Sequence, residues 1–292
     1  MFTLPISEKT IDLNEVIRSK SEKLHRYLPR FVVRWLNRLL HVDELNAYLY
    51  KNREAVGIDF ATAILNDFGC KITVAGTENL PKSGRYILVA NHPLGGLDGM
   101  AIISRIGALR PDILFPVTDF LMFLPNLRPV FVPIDKTGRN LQYQRQLKQA
   151  FDADNLMLYF PAGLCSRKQK NGEIRDEEWK KTFIAKARET RRDLIPVFVD
   201  GKNSSFFYNF ARWRKRLGLK LNLEQLFLVD EMFKQKGQKI RLTIGRPIRH
   251  TVFEDRRLSD RAWAQAVKEY VYRLPQNPSA AFETPHETPA IP

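Results

Sequence analysis

The distribution of apolar residues divides the chain into three parts. Between about residues 70 and 250, short apolar runs alternate with longer segments of helical periodicity. The short runs are predicted strands, at 71–76, 86–91, 112–117, 129–134, 156–160, 194–201 and 239–248. The longer segments are predicted helices, at 98–108, 139–152, 176–191, 206–217 and 222–235. This alternation predicts an α/β fold with a central mixed, largely parallel sheet flanked by helices.

The segment before this region, residues 10–56, has the pattern of amphipathic helices. Arginines four residues apart share one helical face, and the remainder of that helix is aromatic or aliphatic. A basic helix with tryptophan and phenylalanine on its apolar side can lie in a membrane interface, although a basic face can also simply be solvated. We expect this N-terminal amphipathic segment to contact a membrane through Arg30, Arg34, Trp35 and Arg38.

The end of the chain is rich in proline, with five prolines between residues 274 and 292. This stretch can bury few apolar side chains, so we expect it to be disordered or draped over the surface. The predicted organisation is therefore an N-terminal helical segment at a membrane interface (1–60), an α/β domain (61–274) and a proline-rich tail (275–292).

The composition restricts the class of protein. The 292-residue chain is 44% hydrophobic, which is ample for a core, yet it has no apolar stretch long enough to span a bilayer. The N-terminus lacks the basic start and apolar core of a signal peptide, so we expect a cytoplasmic location. The two cysteines, Cys70 and Cys165, do not suggest a disulfide framework. No cluster of histidine and cysteine has zinc spacing, so we expect no bound metal.

The formal net charge of +15 indicates an anionic partner: nucleic acid, an anionic membrane, an acidic carrier protein or an acidic metabolite. Residues 204–220 interleave aromatic rings with lysine and arginine, a combination that favours the interface of an anionic membrane. We expect membrane contact through Phe206, Phe207 and Trp213. An acidic carrier protein could use the same surface, and a core-packed aromatic helix with a basic rim is the structural alternative.

One histidine and one aspartate stand on opposite sides of a glycine turn. His92 follows the predicted strand 86–91, and Asp98 opens the next predicted helix, with Gly95 and Gly96 between them. Reactive groups in α/β folds collect at the carboxyl ends of strands, and glycine permits the positive φ of a tight turn. A carboxylate that holds an imidazole in one tautomer creates a general base for a hydroxyl. Asp98 can also act as a helix cap.

The hydroxyl in such a reaction need not come from the protein. The sequence contains no G-x-S-x-G nucleophile motif, so the attacking oxygen can belong to a bound substrate.

Four sequence blocks resemble, in order, those of the glycerophospholipid acyltransferase superfamily. They are NHPLGGLD (91–98), VFVPIDKTGRN (130–140), FPAGLCS (160–166) and LIPVFV (194–199). Two features depart from the family pattern. His92 and Asp98 enclose five residues where the family has four, and Ala162 and Cys165 stand where the family has a glutamate and an arginine that help to hold the acceptor's phosphate.

These variant blocks are more similar to the hemolysin-labelled bacterial branch, which includes O-acyltransferases that complete ornithine or glycine lipids from lyso precursors. The resemblance implies transfer of a fatty acyl group from acyl carrier protein or acyl-CoA to the hydroxyl of a lyso-aminolipid or lysophospholipid. It implies no bound cofactor, since the thioester is a co-substrate. It also implies a peripheral enzyme at the cytoplasmic face of the inner (plasma) membrane.

The resemblance further implies roles for individual residues. His92 and Asp98 would be catalytic, and backbone N–H groups near Gly163 would stabilise the oxyanion. The residues that the resemblance implies in substrate binding are Asn91, Gly95, Gly96, Lys136, Arg139, Phe160, Pro161, Gly163, Ser166 and Arg167.

Three competing hypotheses are weaker or remain open. A nucleic-acid-binding protein would account for the charge but not for the His92 turn, and we expect no nucleic-acid partner. The Gly95-Gly96-x-x-Gly99 spacing differs from the G-x-G-x-x-G of dinucleotide-binding enzymes. A thioesterase or lipase with Cys165 as nucleophile and His92 as base stays an alternative.

Overall fold

The computed structural model describes residues 10–118, 121–135, 140–219 and 221–285. Its strands are β1 (Lys71–Ala75), β2 (Tyr86–Ala90), β3 (Ile113–Thr118), β4 (Phe131–Ile134), β5 (Leu156–Tyr159), β6 (Arg167–Lys168), β7 (Ile174–Arg175), β8 (Asp193–Asp200) and β9 (Lys239–Ile244). Seven of them form one sheet in the order β1-β9-β8-β2-β5-β3-β4, and β6 and β7 form a separate antiparallel hairpin. Neighbours in the sheet are parallel except β8 and β9. The predicted α/β class with a mixed, largely parallel sheet is confirmed.

The helices cover both faces of the sheet and the N-terminal segment. The α-helices are α1 (Leu13–Lys20), α2 (Glu22–Tyr27), α3 (Arg30–Leu39), α4 (Val42–Lys51), α5 (Gly57–Asp67), α6 (Gly96–Arg105), α7 (Leu141–Asp152), α8 (Thr182–Thr190), α9 (Ser205–Arg216), α10 (Leu228–Lys234) and α11 (Asp260–Arg273). Short 3-10 helices lie at Thr77–Asn79, Leu121–Phe123, Pro125–Val130, Leu223–Phe227 and His250–Glu254. None of the helices in the described ranges is long and apolar enough to cross a bilayer.

The central strand β2 contributes side chains to two cores, because successive strand residues point to opposite faces of a sheet. Ile87 and Val89 belong to a core that includes residues of α8 and α11. Leu88 and Ala90 belong to the core on the other face, together with residues of α5 and α6. The carboxyl end of β2 is therefore held between two packed layers, which gives the residues that follow it a rigid base.

Helix α8 begins six residues later than the pattern predicts. The N–H of Asp176 donates to the hydroxyl of Tyr272 (2.7 Å), and the N–H of Trp179 donates to the side chain of Gln265 (3.3 Å). Because these N–H groups bind side chains of α11, residues 176–181 stay outside the helix. The side chains of Asp176 and Trp179 are consequently placed by α11 and not by helical periodicity.

The two ends of the chain pack on this α/β domain. Val42 and Leu49 of α4 are buried, whereas α3 has no buried residue. At the other end, the hydroxyl of Tyr270 donates to the carbonyl of Ala280 (2.8 Å), and the rings of Tyr270 and Phe282 contact each other. The tail is thus draped over the surface as far as residue 285.

Candidate active site

The site begins where β2 ends. Asn91 is buried, and its carboxamide bonds the backbone of Val199 in β8 in both directions: Nδ2 donates to the carbonyl (2.9 Å), and Oδ1 accepts from the N–H (2.7 Å). The Asn91 side chain thereby extends the pairing of β2 with β8 past the last strand residue. His92, the next residue, leaves the sheet from a fixed position.

The predicted contact between the histidine and the aspartate is confirmed. The Nδ1 of His92 lies 2.9 Å from Oδ2 of Asp98, and that same oxygen accepts from the backbone N–H groups of Leu94 (2.9 Å) and Gly95 (3.0 Å). Gly95 has φ +79°, in the region that favours glycine, so the turn accommodates the additional residue of this motif. Gly96 is already the first residue of α6, and Asp98 therefore both orients His92 and caps the helix.

The environment of Asp98 determines the tautomer of His92. Complete burial raises the pKa of the Asp98 carboxyl, while the hydrogen bonds from His92, Leu94 and Gly95 act in the opposite direction. Oδ2 of Asp98 accepts from two backbone N–H groups, so in its carboxylate form it also accepts from Nδ1 of His92, and Nε2 of that tautomer has a lone pair. Within the described part of the chain, no side chain bonds Nε2. In this tautomer Nε2 can accept a hydrogen bond from a ligand.

Aromatic rings line one side of the imidazole. Phe160, directly after β5, stacks on His92 with ring centroids 4.2 Å apart and an interplanar angle of 24°. Phe115 contacts Phe160 edge to face, and Phe131 contacts Phe115 in the same way. The side chain of His92 keeps about a fifth of its surface exposed (19%). The base thus lies against an apolar wall and remains accessible.

Cys165 is buried beneath the glycine turn. A Cβ on Gly95 would lie 3.3 Å from its Sγ, so only glycine allows the turn to approach the thiol this closely. Burial, followed by the charge of Asp98, raises the pKa of the Cys165 thiol. A thiol that stays protonated is a poor nucleophile, which argues against the thioesterase or lipase hypothesis.

A second buried carboxylate, Asp176, holds the backbone of His92. Its Oδ1 accepts from the N–H of His92 (3.2 Å) and the hydroxyl of Ser166 (2.6 Å), and its Oδ2 accepts from the indole of Trp179 (2.8 Å). The N–H of Ser166 also donates to the carbonyl of His92 (2.8 Å). The sequence analysis did not identify Asp176, because it lies in an acidic run with Glu177 and Glu178 that is typical of a solvated surface.

The remaining predicted substrate-binding residues have different surroundings. Pro161 and Ser166 are buried in the loop after β5, and the N–H of Gly163 donates to the carbonyl of Phe160 (3.0 Å), so this N–H is not free for an oxyanion. Lys136 and Arg139 lie outside the described residues.

Arg167 has a role other than the predicted contact with a head group. Its guanidinium is buried, donates to the carbonyl of Cys165 (2.7 Å) and forms an ion pair with the buried Glu224 (2.8 Å). Arg214 of α9 binds the same carboxylate (2.7 Å). Arg167 therefore ties the loop after β5 to α9 and the segment that follows it.

A different cation lies over that loop. The Nζ of Lys180 lies 3.1 Å from the position that a Cβ on Gly163 would occupy. The Lys180 side chain is exposed, and the structure records no ion pair for it within the described ranges. It follows Trp179 in the segment that α11 holds outside the helix, so helical periodicity does not predict its position.

The prediction of membrane contact is wrong for Phe207, whose ring is fully buried against Cys165 and Tyr208. Helix α9 turns this face inward because Phe207, Tyr208 and Ala211 share it. Its opposite face exposes a stripe of apolar side chains with helical spacing. That stripe consists of Phe206, Phe210, Trp213 and Leu217, of which Phe206, Trp213 and Leu217 are at least half exposed.

Helix α3 exposes the predicted membrane residues. Arg30, Arg34, Trp35 and Arg38 all lie on its exposed surface, and Phe31 joins them there.

Comparison with known proteins identifies the family to which this site belongs. A family model described as Acyltransferase matches residues 15–278. The chain belongs to this acyltransferase family. It is 44% identical over 266 residues to a lyso-glycine lipid O-acyltransferase of Bacteroides thetaiotaomicron, covering 90% of this chain and 97% of that protein. It is 43% identical to a protein of the same name from Phocaeicola vulgatus, over 90% of this chain and 95% of that protein. The protein is thus an acyltransferase.

Among solved structures, the chain is similar to the 1-acyl-sn-glycerophosphate acyltransferase PlsC of Thermotoga maritima, with a TM-score of 0.48 and 17% identity. The match covers 86% of this chain and 97% of that one.

The role of Asp176 can be tested by Asp176→Asn. Three donors face this carboxylate, and an amide would turn its own NH2 toward one of them, leaving a buried donor unpaired. We expect the free energy of unfolding in urea to fall by about 1–3 kcal/mol, and acyl transfer to fall with it. Ser166→Ala is the matched control. It removes one donor and leaves the carboxylate with two, so the free energy of unfolding should fall by less than in Asp176→Asn. An Asp176→Asn variant as stable as the wild type would contradict this role.

Proposed function

We propose that the protein transfers a fatty acyl group from an acyl thioester to the hydroxyl of a lyso-lipid, with His92 as general base. The observation that carries the proposal is the hydrogen bond between His92 and the buried Asp98, at the motif positions of an acyltransferase family. The high identity to two lyso-glycine lipid O-acyltransferases supports a glycine lyso-lipid as the acceptor.

In the proposed reaction, Nε2 of His92 removes the proton from the lipid hydroxyl as its oxygen attacks the thioester carbonyl. Asp98 stabilises the imidazolium that forms, because its carboxylate faces Nδ1 at 2.9 Å. Collapse of the tetrahedral intermediate breaks the carbon–sulfur bond. The imidazolium then gives its proton to the leaving thiolate, so the products are an ester and a thiol, and the histidine is restored.

Lys180 is the cation proposed to recognise the acceptor. A glycine head group joined to the lipid through its nitrogen keeps a free carboxylate. The ammonium of Lys180 lies over Gly163, three residues after the Phe160 ring that stacks on His92. Lysine binds a carboxylate through charge-assisted hydrogen bonds. Lys180 would thus replace the phosphate-binding arginine that this chain lacks at Cys165.

The proposed enzyme binds peripherally to the cytoplasmic face of the plasma membrane. Exposed aromatic rings on α3 and α9 support this proposal, since Trp and Phe favour the interface between lipid and water. Arginines on the exposed surface of α3 would attract anionic lipid.

The catalytic proposal predicts that His92→Ala abolishes transfer from an acyl thioester to N-(3-hydroxypalmitoyl)glycine. Asp98→Asn should lower kcat by about four orders of magnitude, the effect of the same change in a serine protease triad, because the imidazole loses its fixed tautomer. Thermal melts would establish that each variant is folded. Substantial turnover by a folded His92→Ala variant would exclude His92 as the base.

The acceptor proposal predicts that Lys180→Gln raises KM for N-(3-hydroxypalmitoyl)glycine about tenfold, the equivalent of about 1.4 kcal/mol, with kcat little changed. The corresponding carboxamide has no negative charge for Lys180 to bind, so its KM should be the same for the Lys180→Gln variant and the wild type. Lys181→Gln, at the exposed neighbouring position, is the control. An equal change for the acid and the carboxamide would show that Lys180 does not bind the carboxylate.

The membrane proposal predicts that Trp213→Ser weakens binding to phosphatidylglycerol vesicles about tenfold or more, because burying a large apolar side chain contributes about 1.5–3 kcal/mol. Leu141→Ser is the control, since Leu141 is equally exposed but lies at the start of α7. Co-sedimentation measures the bound fraction. Equal binding by the two variants would contradict membrane contact through α9.

A further inference from the structure

A cleft of about 790 Å³ opens between the β6–β7 hairpin, α9 and α11. Its lining is strongly cationic, and acidic side chains are in the minority. The cations are Arg167, Lys168, Lys170, Arg175, Arg212, Arg214, Lys215, Arg216 and Lys268, and the acids are Glu173, Asp176, Glu177 and Glu269. The cleft is separate from the imidazole face of His92, which lies against Phe160.

The acidic side chains of the cleft are already engaged. Glu269 pairs with Arg175 at 2.7 Å, and Glu177 pairs with Lys215 at 3.3 Å. Asp176 is occupied by its three donors. Glu173 lies 3.9 Å from Arg175, and the charges of Asp176, Glu269 and Glu177 act on Lys268 without forming an ion pair with it.

Five cations of the cleft have no ion-pair partner within the part of the chain that the structure describes. They are Lys168, Lys170, Arg212, Arg216 and Lys268. Lys268 is the half-buried member of this set, and burial lowers the pKa of its ammonium. A partly desolvated cation without a partner is unfavourable until an anion binds it. The cleft is thus an electropositive surface that lacks its counter-charge.

The shape and chemistry of the cleft favour an acidic protein over other anions. Apart from Tyr208 and Ala211, the residues of the lining are polar or charged, and nine of the seventeen are lysine or arginine. The cleft is concave, whereas the surface of a bilayer is flat. The exposed apolar stripe of α9, which suits a bilayer, is not part of the lining of the cleft. Its free cations are distributed over three elements, an arrangement that matches the charge of an extended acidic surface.

The position of the cleft relates it to the reaction. Asp176 is part of the lining and accepts from the backbone N–H of His92. A protein bound in the cleft would therefore lie directly behind the catalytic loop.

We propose that this cleft docks an acidic acyl carrier protein, which delivers the thioester to His92. This inference rests on the proposed function and goes further, because it assigns a docking surface to a protein-bound donor. Docking through exposed charges makes association sensitive to ionic strength, since salt screens such charges over about 8 Å at 0.15 M.

The test is the double variant Lys168→Glu with Arg212→Glu, which reverses two exposed cations of the lining, one in β6 and one in α9. Binding of holo-acyl carrier protein, measured by calorimetry without turnover, should weaken at least tenfold at low salt. KM for acyl carrier protein thioester should rise equally, while turnover of acyl-CoA stays unchanged. The control is Lys82→Glu with Arg191→Glu, exposed cations that precede the amino ends of β2 and β8.

Unchanged carrier binding in the double variant would overturn the proposal, as would a wild type that does not bind the carrier. An equal rise of KM for acyl-CoA would assign the cleft to phosphate groups instead, and tighter binding of an RNA oligonucleotide would assign it to nucleic acid. Because carrier binding is measured without turnover, it tests the cleft separately from the transferase activity. Absence of transfer from either thioester would refute the proposed function itself.

Discussion

The candidate active site depends on two buried carboxylates that hold one histidine from different sides. Asp98 binds the imidazole, and Asp176 binds the backbone N–H of the same residue. Each carboxylate also accepts hydrogen bonds from other parts of the site. Asp98 accepts from the backbone N–H groups of Leu94 and Gly95, and Asp176 accepts from the side chains of Ser166 and Trp179. Because a buried carboxylate must be satisfied by donors, the loops that supply those donors are drawn into one geometry. The position of His92 is thus set by the packing of both faces of the sheet.

Much of this arrangement could be predicted from local pattern. The apolar runs place the strands of the sheet within a few residues, and β2 ends directly before Asn91 and His92. The contact between His92 and Asp98 was also predictable, because both residues belong to one short turn and Gly95 supplies its positive φ. These features depend on interactions between residues that are near one another in the sequence.

Other features depend on residues that are distant in sequence, and local pattern could not reveal them. Asp176 becomes a buried acceptor only because Tyr272 and Gln265 of α11 keep its segment out of a helix. Arg167 is removed from solvent by Glu224, which lies 57 residues away. The choice between Phe206 and Phe207 as the exposed ring is decided by which side of α9 packs on Cys165, and that side carries Phe207 and Tyr208. In each case the tertiary partner, not the residue type, sets the role.

The stacking of Phe160 on His92 has a consequence for the fate of the acyl group. A general base beside an activated thioester can deprotonate water as well as an alcohol, and water would waste the donor. In the proposed reaction, the ring of Phe160, backed by Phe115 and Phe131, would offer water no hydrogen-bond partner on that face of the imidazole but would accommodate a hydrocarbon chain. In the proposed mechanism, the ring that stacks on His92 would therefore favour transfer over hydrolysis.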